Sequence, residues 1–212
     1  MRIALFGGTF DPPHRAHVML AKAAADQFEL DTVFFAPTGR QPLKRDSAST
    51  SFTDRLTMVA LTCAEDQRFA VSNLDAPRSD GEANYTVRTL GLLTELIPDA
   101  QVFNLVGADS FRDLARWREP RRLLQLAEWI VASRPGFALS EPEGMALSDA
   151  EWARIHWLDS VHEDVAATGL RVRLQEGASC EDLLPPAVAA YIRQHGLYVS
   201  AQAGLEDRNP VR

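Results

Sequence analysis

Short apolar runs alternate with segments of helical periodicity along most of the chain. Between the runs RIALF and TVFFAP, the segment HVMLAKAAADQF carries apolar residues about 3.6 positions apart, which predicts an amphipathic helix. The same spacing predicts helices in FTDRLTMVALTCAED, TVRTLGLLTELI, FRDLARW and RRLLQLA. The further apolar runs that predict strands are FAVSN, QVFNLVG, WIVAS and RIHWLDS.

Strands that are apolar throughout and separated by helices are typical of a parallel sheet that is covered on both faces. We therefore predict an α/β fold with a Rossmann-like, doubly wound parallel sheet and helices on both of its faces. With 212 residues the chain is long enough for one sizeable core, and no glycine- or serine-rich linker divides it. We expect one domain over residues 1–199, followed by a flexible tail at residues 200–212.

The charge balance and the cysteines restrict the partners of the protein. The net charge is −7, with 29 acidic and 22 basic residues, which argues against nucleic acid as a partner. Small anionic ligands remain compatible with this charge, because a few basic residues can bind them. Cys63 and Cys180 have no metal-ligand spacing and follow no secretory signal, so we expect free thiols in a cytoplasmic protein. The run IALF is too short for a membrane span, so no membrane partner is expected.

The loops that follow the predicted strands are the places to look for chemistry, because ligands bind outside the carboxyl ends of parallel strands. The first loop begins with Gly7 and Gly8, whose missing side chains permit a sharp turn and a close approach to backbone N–H groups. The residues DPP at 11–13 can start a helix, and a helix start directs free N–H groups at the loop. This arrangement favours a phosphate, although two glycines alone are also typical of a tight strand-to-helix connection.

His14 and His17 stand three residues apart, so on the first turn of a helix both imidazoles project toward the predicted anion site. Three interpretations are open. Isolated histidines are usually ordinary core or surface residues. As zinc ligands the pair lacks partners, since no cysteine or His-Glu motif accompanies it. As hydrogen-bond donors to a phosphate that gains charge during a reaction, the two side chains need only face the pocket.

Several motifs, in order along the chain, resemble one family. The segment GGTFDPPHRAH resembles the signature of the nucleotidyltransferase superfamily with the H-x-G-H motif, and in particular the GGTFDPxHxGH of bacterial nicotinate-nucleotide adenylyltransferases. Similarity to these enzymes extends over nearly the whole chain. It includes the segments FFAPTGRQPLK, NYTVRTL, FNLVGADSFRDLARW, WIVASRPG and LLPPAVAAYIRQHGLY.

The resemblance implies a reaction and its substrates. ATP and nicotinate mononucleotide would give nicotinate adenine dinucleotide and pyrophosphate, a step of NAD biosynthesis. Mg²⁺ would be bound through the ATP phosphates rather than by protein side chains. Such a transfer needs mainly positioning and charge neutralisation, without a protein nucleophile. We expect a monomer or a homodimer.

The same resemblance assigns roles to individual residues. Catalytic roles fall to His14, His17, Lys44 and Arg171, with Lys44 in a long loop of the kind that often forms a lid. The nicotinate mononucleotide site comprises Tyr85, Thr86 and Trp117. The ATP site comprises Gly7, Gly8, Thr9, Phe10, Gly107, Asp109, Arg134 and Thr168.

Most of these residues also have a simpler structural interpretation. Lys44 lies in a polar stretch that could be a solvated loop, and Arg171 could belong to an exposed helix face. Asp109 and Thr168 could be helix caps. Arg134 could pair with a surface carboxylate.

Three of the four tryptophans have an expected place, and Trp152 lies in a region without a readable pattern. Trp117 is expected to stack on the pyridine ring, with backbone N–H groups near Thr86 holding its carboxylate, but an aromatic residue packed between two helices is the alternative. We expect its helix to end at residues 119–120, because the residue before a proline disfavours helical geometry. Trp129 and Trp157 lie in strand-like runs and are expected in the core.

The sequence departs from the family pattern at several positions. Ala16 stands where the family usually has glycine, and Ala166 and Ala167 stand where it has two serines. If those serines act only through backbone N–H groups, little is lost, whereas a role for their hydroxyls would mean weaker phosphate binding. Arg88 replaces a common aspartate and Leu43 replaces a frequent histidine.

Two other functions remain open. The same signature serves phosphopantetheine, cytidylyl and nicotinamide-mononucleotide transferases, although the match at Tyr85, Thr86 and Trp117 favours the pyridine nucleotide. A non-catalytic nucleotide sensor is the second alternative. Loss of a histidine or of Lys44 would have indicated such a sensor, and all three are present.

Overall fold

The computed structural model describes residues 1–40, 50–132, 140–158 and 165–199. The predicted tail at residues 200–212 lies outside these ranges. Each predicted apolar run overlaps one strand of a six-stranded sheet. The strands are β1 (Arg2–Gly8), β2 (Thr32–Pro37), β3 (Phe69–Val71), β4 (Gln101–Gly107), β5 (Glu128–Ala132) and β6 (Ile155–Leu158).

Helices connect these strands and follow the last one. Within the described ranges, no helix has both the length and the apolar character needed to cross a membrane. The helices are α1 (Arg15–Gln27), α2 (Phe52–Cys63), α3 (Thr86–Leu96), α4 (Ala108–Arg112), α5 (Pro120–Leu126), α6 (Asp149–Trp152), α7 (Ala167–Gln175) and α8 (Pro186–His195).

The strands lie in the order β3-β2-β1-β4-β5-β6, and all of them run parallel. At the centre, Phe6 of β1 lies opposite Phe35 of β2 on one side and Leu105 of β4 on the other. The chain order reverses between β1 and β4, and ligands of such sheets bind outside the strand ends at this point. The predicted Rossmann-like, doubly wound sheet is confirmed.

The core lies on both faces of the sheet because the strands alternate their side chains between the two faces. On β1, Ile3 and Leu5 belong to one buried apolar cluster, which includes the inner faces of α3 and α5. Ala4 and Phe6 belong to a second cluster, which includes the inner faces of α1 and α2. Helices therefore cover both faces, as the continuous apolar strands predict.

A third apolar cluster attaches the carboxyl-terminal part of the chain to α2. We call the described residues 165–199, with α7 and α8, the carboxyl-terminal unit. Met58 of α2 packs against this unit, whose buried residues include Leu170, Leu184, Val188 and Ile192. The apolar contact explains how residues distant in sequence from β1 come to lie near its end.

The helix after β1 begins later than predicted. The DPP segment at residues 11–13 precedes it, and α1 begins at Arg15, with His14 as its extended N-cap at φ −142° and ψ 173°. A residue that precedes proline disfavours helical geometry, and this applies to both Asp11 and Pro12. The helix therefore starts only after the second proline.

The segment FRDLARW is not the single helix that its periodicity predicts. The helix α4 ends at Arg112, a 3₁₀ turn covers Leu114–Arg116, and Trp117 is extended. Pro120, where the sequence predicts a helix end, instead begins α5. Proline suits the first turn of a helix because its missing N–H group has no intrahelical partner there.

The two tryptophans expected in the core differ in burial. Trp129 of β5 is fully buried, as predicted. Trp157 is only half-buried, although it packs against the first apolar cluster. It lies on β6, which is the last strand of the sheet and has a neighbour on one side only.

Candidate active site

Gly7 and Gly8 are the last two residues of β1, paired with Ala36 and Pro37 of β2, so the loop begins later than the sequence predicts. We call residues 7–10, which lie at the point where the strand order reverses, the glycine turn. Gly7 is exposed, and a Cβ atom built on it would meet no atom within 4 Å. A Cβ atom on Gly8 would lie 3.2 Å from the Phe10 ring, which is tighter than most such contacts. Packing therefore favours glycine at residue 8, whereas the open side of Gly7 leaves its backbone accessible to a ligand.

Phe10 packs its buried side chain beneath Gly8. Its φ of 49° lies in the left-handed region, and its ring is buried. The ring centroid lies 5.4 Å from that of Phe6 and 5.0 Å from that of His17. The Phe10 side chain is thus occupied by packing, so only its backbone could contact a ligand.

His14 and His17 stack on each other at the start of α1, with ring centroids 3.7 Å apart. The backbone N–H of His14 donates a hydrogen bond to Nδ1 of His17 over 3.1 Å. When Nδ1 accepts, the ring proton of a neutral histidine resides on Nε2, so His17 retains one N–H donor for a ligand. The prediction that both imidazoles project from one side of the helix is confirmed.

Burial makes both imidazoles weak bases. It lowers the pKa of His14 to about 4. It also lowers the pKa of His17 well below its ordinary value, and the neighbouring His14 adds to that shift. At neutral pH the pair is therefore uncharged and can interact with an anion by hydrogen bonding.

Arg55, a residue without a predicted role, connects the glycine turn to the loop after β2. Its Nη1 donates to the carbonyl oxygens of Thr9 over 2.7 Å and of Thr38 over 2.9 Å. The residue is only 2% exposed, and burial lowers its pKa while the charge of Asp11 raises it. The sequence carries one signal for this role, because Arg55 interrupts the buried stripe of α2 that also holds Met58.

Asp11 joins the glycine turn to the carboxyl-terminal unit. Its Oδ1 accepts hydrogen bonds from the hydroxyls of Thr50 and Tyr198, over 2.7 Å and 2.6 Å. Its carbonyl oxygen accepts a hydrogen bond from Nη1 of Arg171 over 2.9 Å, and Nη2 of Arg171 donates to the Thr168 hydroxyl over 3.2 Å. The structure thus places Arg171 and Thr168 beside the first loop. Tyr198 is a further contact that the sequence does not predict.

The start of α7 lies in the segment that resembles a phosphate-binding motif. Ala166 is the N-cap of this helix, and no side chain caps its first turn. The first N–H groups of a helix have no intrahelical partner, so without a cap they are left to water or to a ligand. The alanine at the N-cap therefore removes a serine hydroxyl that would compete for these donors.

The loop after β2 is anchored at its beginning. The N–H of Gly39 donates to the carbonyl of Asp75 over 2.7 Å, and the N–H of Arg40 donates to Oδ1 of Asn84 over 2.9 Å. A Cβ atom on Gly39 would collide with the backbone of Pro77, so glycine is required for this close approach. The predicted Lys44 lies outside the described residues.

The residues predicted for nicotinate mononucleotide lie near the amino terminus of α3. Tyr85 is the N-cap and Thr86 the first residue of this helix, and both are half-buried. Trp117 is also half-buried, with its ring centroid 5.8 Å from that of Trp129. The guanidinium of Arg118 lies 5.5 Å from the centre of the Tyr85 ring, which brings the two segments together. Trp117 thus contacts the core on one side and keeps exposed surface on the other.

The remaining predicted ATP residues follow β4 and β5. Gly107 ends β4 and is the N-cap of α4, next to the glycine turn across the point of reversal. Asp109 is exposed in the first turn of α4, with its carboxylate 3.6 Å from the guanidinium of Arg112. It is therefore not the N-cap that one interpretation predicts. Arg134 lies outside the described residues.

The chain has a family match and many similar relatives. The sequence pattern of the family described as cytidylyltransferase-like matches residues 5–173. A protein of Neisseria meningitidis serogroup B is 41% identical over 204 residues, covering 93% of this chain and 98% of the relative. A protein of Synechococcus sp. strain JA-2-3B'a(2-13) is 40% identical over 200 residues, covering 93% of this chain and 97% of the relative. Both are named as probable nicotinate-nucleotide adenylyltransferases.

Solved structures share the fold. The nicotinic acid mononucleotide adenylyltransferase of Plasmodium falciparum, complexed with APC, superimposes with a TM-score of 0.71 over 93% of this chain and 96% of its own. The same enzyme complexed with NaAD gives a TM-score of 0.73 over 93% and 97%. Because the sequence identity is 18% in both comparisons, the likeness concerns the fold alone.

Proposed function

The chain belongs to the cytidylyltransferase-like family, and we infer that it is a nucleotidyltransferase that transfers AMP from ATP to nicotinate mononucleotide. The products are nicotinate adenine dinucleotide and pyrophosphate, a step of NAD biosynthesis. Relatives that are 40% and 41% identical over nearly their full length are named for this activity. The structural observation that supports the inference most is the uncharged, stacked pair of His14 and His17 beside the glycine turn.

The chemistry of the transfer defines what the protein must do. An oxygen of the nicotinate mononucleotide phosphate attacks the α-phosphorus of ATP. The bond from that phosphorus to the oxygen bridging the β-phosphate breaks, and pyrophosphate leaves with the additional negative charge. The reaction needs no covalent bond to the protein, so the catalytic task is to hold two anionic groups together and stabilise the charge that develops.

The glycine turn and the histidine pair suit the reacting phosphate. We propose that the backbone of Gly7, Gly8 and Thr9 shapes the site of the α-phosphate. The Nε2–H of His17 donates to a phosphate oxygen, and His14 donates to a second one. Both rings are uncharged at neutral pH, so they stabilise the developing charge as preorganised hydrogen-bond donors rather than as cations.

The cationic groups suit the leaving pyrophosphate. We propose that Arg171 and the start of α7 at Thr168 hold the β- and γ-phosphates, supported by the contact of Arg171 with the Asp11 carbonyl. The resemblance adds Lys44 from the loop after β2 and Arg134 beside the ATP. These residues together would compensate the negative charge of the triphosphate.

We propose that Mg²⁺ arrives bound to ATP. Phosphate oxygens are the hard ligands that Mg²⁺ prefers, and in phosphoryl-transfer enzymes this ion commonly keeps several waters. Bound between the phosphates, it would neutralise charge on the leaving group. Within the described ranges, no three His, Cys, Asp or Glu side chains are arranged to hold a metal ion, so the proposal rests on the chemistry of ATP.

The remaining predicted residues would bind the nucleoside parts of the two substrates. We propose that Gly107 and Asp109 contact the adenosine, with Asp109 at its ribose. Tyr85, Thr86 and Trp117 would bind the second substrate, the ring of Trp117 stacking on the pyridine and backbone N–H groups near Thr86 holding the carboxylate. The half-exposed state of Trp117 supports this role, because a stacking residue needs one open face.

We propose that the protein works in the cytoplasm as a monomer or a homodimer. Cys63 and Cys180 are both free thiols, which suits a reducing compartment. Its proposed partners are the small molecules ATP and nicotinate mononucleotide. The net charge of −7 supports the proposal that nucleic acid and membranes are not partners.

The direct test is product formation. Purified protein is incubated with ATP, Mg²⁺ and nicotinate mononucleotide, and nicotinate adenine dinucleotide and pyrophosphate are quantified by chromatography with mass spectrometry. The two products should appear in equal amounts and only when both substrates are present. Hydrolysis of ATP without the dinucleotide, or no product at all, would contradict the proposed function.

A further inference from the structure

Tyr198 of the carboxyl-terminal unit donates a hydrogen bond to a side chain of the first loop. It follows α8, adopts a φ of 63°, and is only 8% exposed. Its ring packs in the cluster formed by α2, α7 and α8. The phenol donates to Oδ1 of Asp11 over 2.6 Å, a contact between residues 187 positions apart in the sequence.

The hydrogen bonds around Asp11 hold the loop from two directions. The Thr50 hydroxyl donates to the same Oδ1, and Arg171 donates to the Asp11 carbonyl. Asp11 is only 2% exposed, and bonds from hydroxyls to a buried carboxylate are stronger than bonds between neutral groups. The residue lies between the glycine turn and His14, so its position determines where the N-cap of α1 stands.

The phenol of Tyr198 remains a donor at any working pH. Burial raises its pKa well above the ordinary range, and the neighbouring Asp11 raises it further. It therefore keeps its proton and does not compete with Asp11 for negative charge. The bond is thus a fixed constraint on the loop.

We propose that Tyr198 is a positioning residue of the active site, which acts through Asp11 to hold the glycine turn and His14 in the geometry that binds ATP phosphates. The inference rests on the proposed function. It makes the carboxyl-terminal unit a part of the catalytic apparatus, in addition to its packing on α2. Small misplacements of a reacting group can cost about 10²-fold in rate, so one remote bond can influence catalysis.

A second tyrosine of the same unit provides a matched control. Tyr191 of α8 donates from its hydroxyl to Oδ1 of Asp54 over 2.9 Å. This bond also joins the carboxyl-terminal unit to the body of the protein, but it ends at the start of α2 rather than in the glycine turn. The variants Tyr198→Phe and Tyr191→Phe therefore remove the same atom and the same type of bond at two different places.

The experiment compares the two variants by thermal unfolding, by calorimetric titration with ATP, and by steady-state kinetics with both substrates. We expect Tyr198→Phe to weaken ATP binding and raise the KM for ATP by roughly 3- to 10-fold, and to lower kcat by about 10-fold, because the phosphate-binding loop is less well fixed. The KM for nicotinate mononucleotide should change by less than twofold. Tyr191→Phe should leave the dissociation constant of ATP and kcat unchanged.

Equal effects of the two variants on ATP binding and kcat, or no effect of Tyr198→Phe, would overturn the proposal. If Tyr198→Phe fails to fold, Thr50→Val tests the same Asp11 oxygen from the other side and should also weaken ATP binding. Combined with Asp11→Asn, either substitution should have a smaller effect than it has alone, since both act through one carboxylate. Failure of the proposed function is distinguishable, because it would appear as absence of the dinucleotide product in the unsubstituted protein, while ATP binding by the variants remains measurable.

Discussion

His14 is buried and His17 is half-buried at the start of α1, and their surroundings determine how they can act. A charged imidazole would attract phosphate in the ground state and in the transition state alike. A neutral donor held in place by packing can instead be aimed at the oxygen where charge develops. The hydrogen bond from the His14 backbone fixes the orientation of the His17 ring, so its free Nε2–H points in one direction.

Replacing His17 by alanine should lower kcat by about 10²–10³, the scale for losing one donor that stabilises developing charge. Circular dichroism should change little, because His17 contributes one capping hydrogen bond and ring contacts, whereas Val18, Ala21, Ala24 and Ala25 still bury the inner face of α1. His195→Ala, at an exposed position in the last turn of α8, is the matched control and should retain full kcat. A decrease of less than threefold for His17→Ala would show that His17 is not a transition-state donor.

His14 should make stability depend on pH. Its pKa is about 4 in the folded protein and has an ordinary value of 6.5, so the unfolded chain binds the proton more readily. Its contribution to stability is therefore fully present above pH 6.5 and is lost as the pH falls toward 4. Between pH 7 and pH 5 the protein should lose roughly 2 kcal/mol more unfolding free energy than the variant His14→Asn. Urea unfolding at both pH values measures this, and equal losses in the two proteins would contradict it.

Trp117 should contribute to substrate binding rather than to stability. Its alanine variant should lose on the order of 1–3 kcal/mol of nicotinate mononucleotide binding, by analogy with aromatic stacking on bases. The KM for this substrate should rise while the KM for ATP barely changes, and the melting temperature should fall by no more than it does in Trp152→Ala. Trp152→Ala is the control, since Trp152 is also half-buried and packs against the same apolar cluster. A large decrease in melting temperature with an unchanged KM would place Trp117 in the core, where such a change costs about 3–5 kcal/mol.

At the residue scale, the sequence predicts what local patterns can encode. The spacing of His14 and His17 is such a pattern, because a helical turn brings residues three apart to one side. Arg55 and Tyr198 are different, since each acts on the first loop through tertiary contacts across 46 and 187 positions. Periodicity cannot encode these pairings, although a charged residue within an apolar helical stripe does mark Arg55 as unusual.

At the scale of elements, the strands are predictable because each contains a short run of mostly apolar residues. The limits of the helices are less predictable from the sequence. In the DPP segment and in the stretch from Phe111 to Pro120, proline determines where a helix begins or ends. Proline disfavours helical geometry in the residue before it, but it suits the first turn of a helix. Periodicity alone does not distinguish these two effects.

The start of α7 should gain stability from one added hydroxyl. A serine N-cap is typically worth about 1 kcal/mol over alanine, so Ala166→Ser should raise the melting temperature by roughly 2–4 °C in a protein of this size. Ala167→Ser is the control, because a side chain at the first helical position cannot cap the helix in the same way. Equal shifts for both variants, or a decrease for Ala166→Ser, would show that Ala166 is not the effective N-cap.

At the scale of the whole molecule, topology brings the site together. The sheet reverses its order between β1 and β4, so the glycine turn and Gly107 meet at one edge. The third apolar cluster then brings the carboxyl-terminal unit to the same edge, with Arg171 and Tyr198 on Asp11. The sequence predicts the first arrangement from its strand pattern, whereas the second depends on apolar packing between distant helices. The domain boundary at residue 199 stays a prediction.

The measurement that tests the central claim most directly is pyrophosphate release with ATP and each of three acceptors. The acceptors are nicotinate mononucleotide, nicotinamide mononucleotide and phosphopantetheine, compared by kcat/KM under one set of conditions. We predict that nicotinate mononucleotide gives the highest kcat/KM, because relatives that are 40% and 41% identical are named for this activity and Tyr85, Thr86 and Trp117 are proposed to bind the pyridine nucleotide. Equal or faster turnover of phosphopantetheine, or no pyrophosphate with any acceptor, would contradict the account.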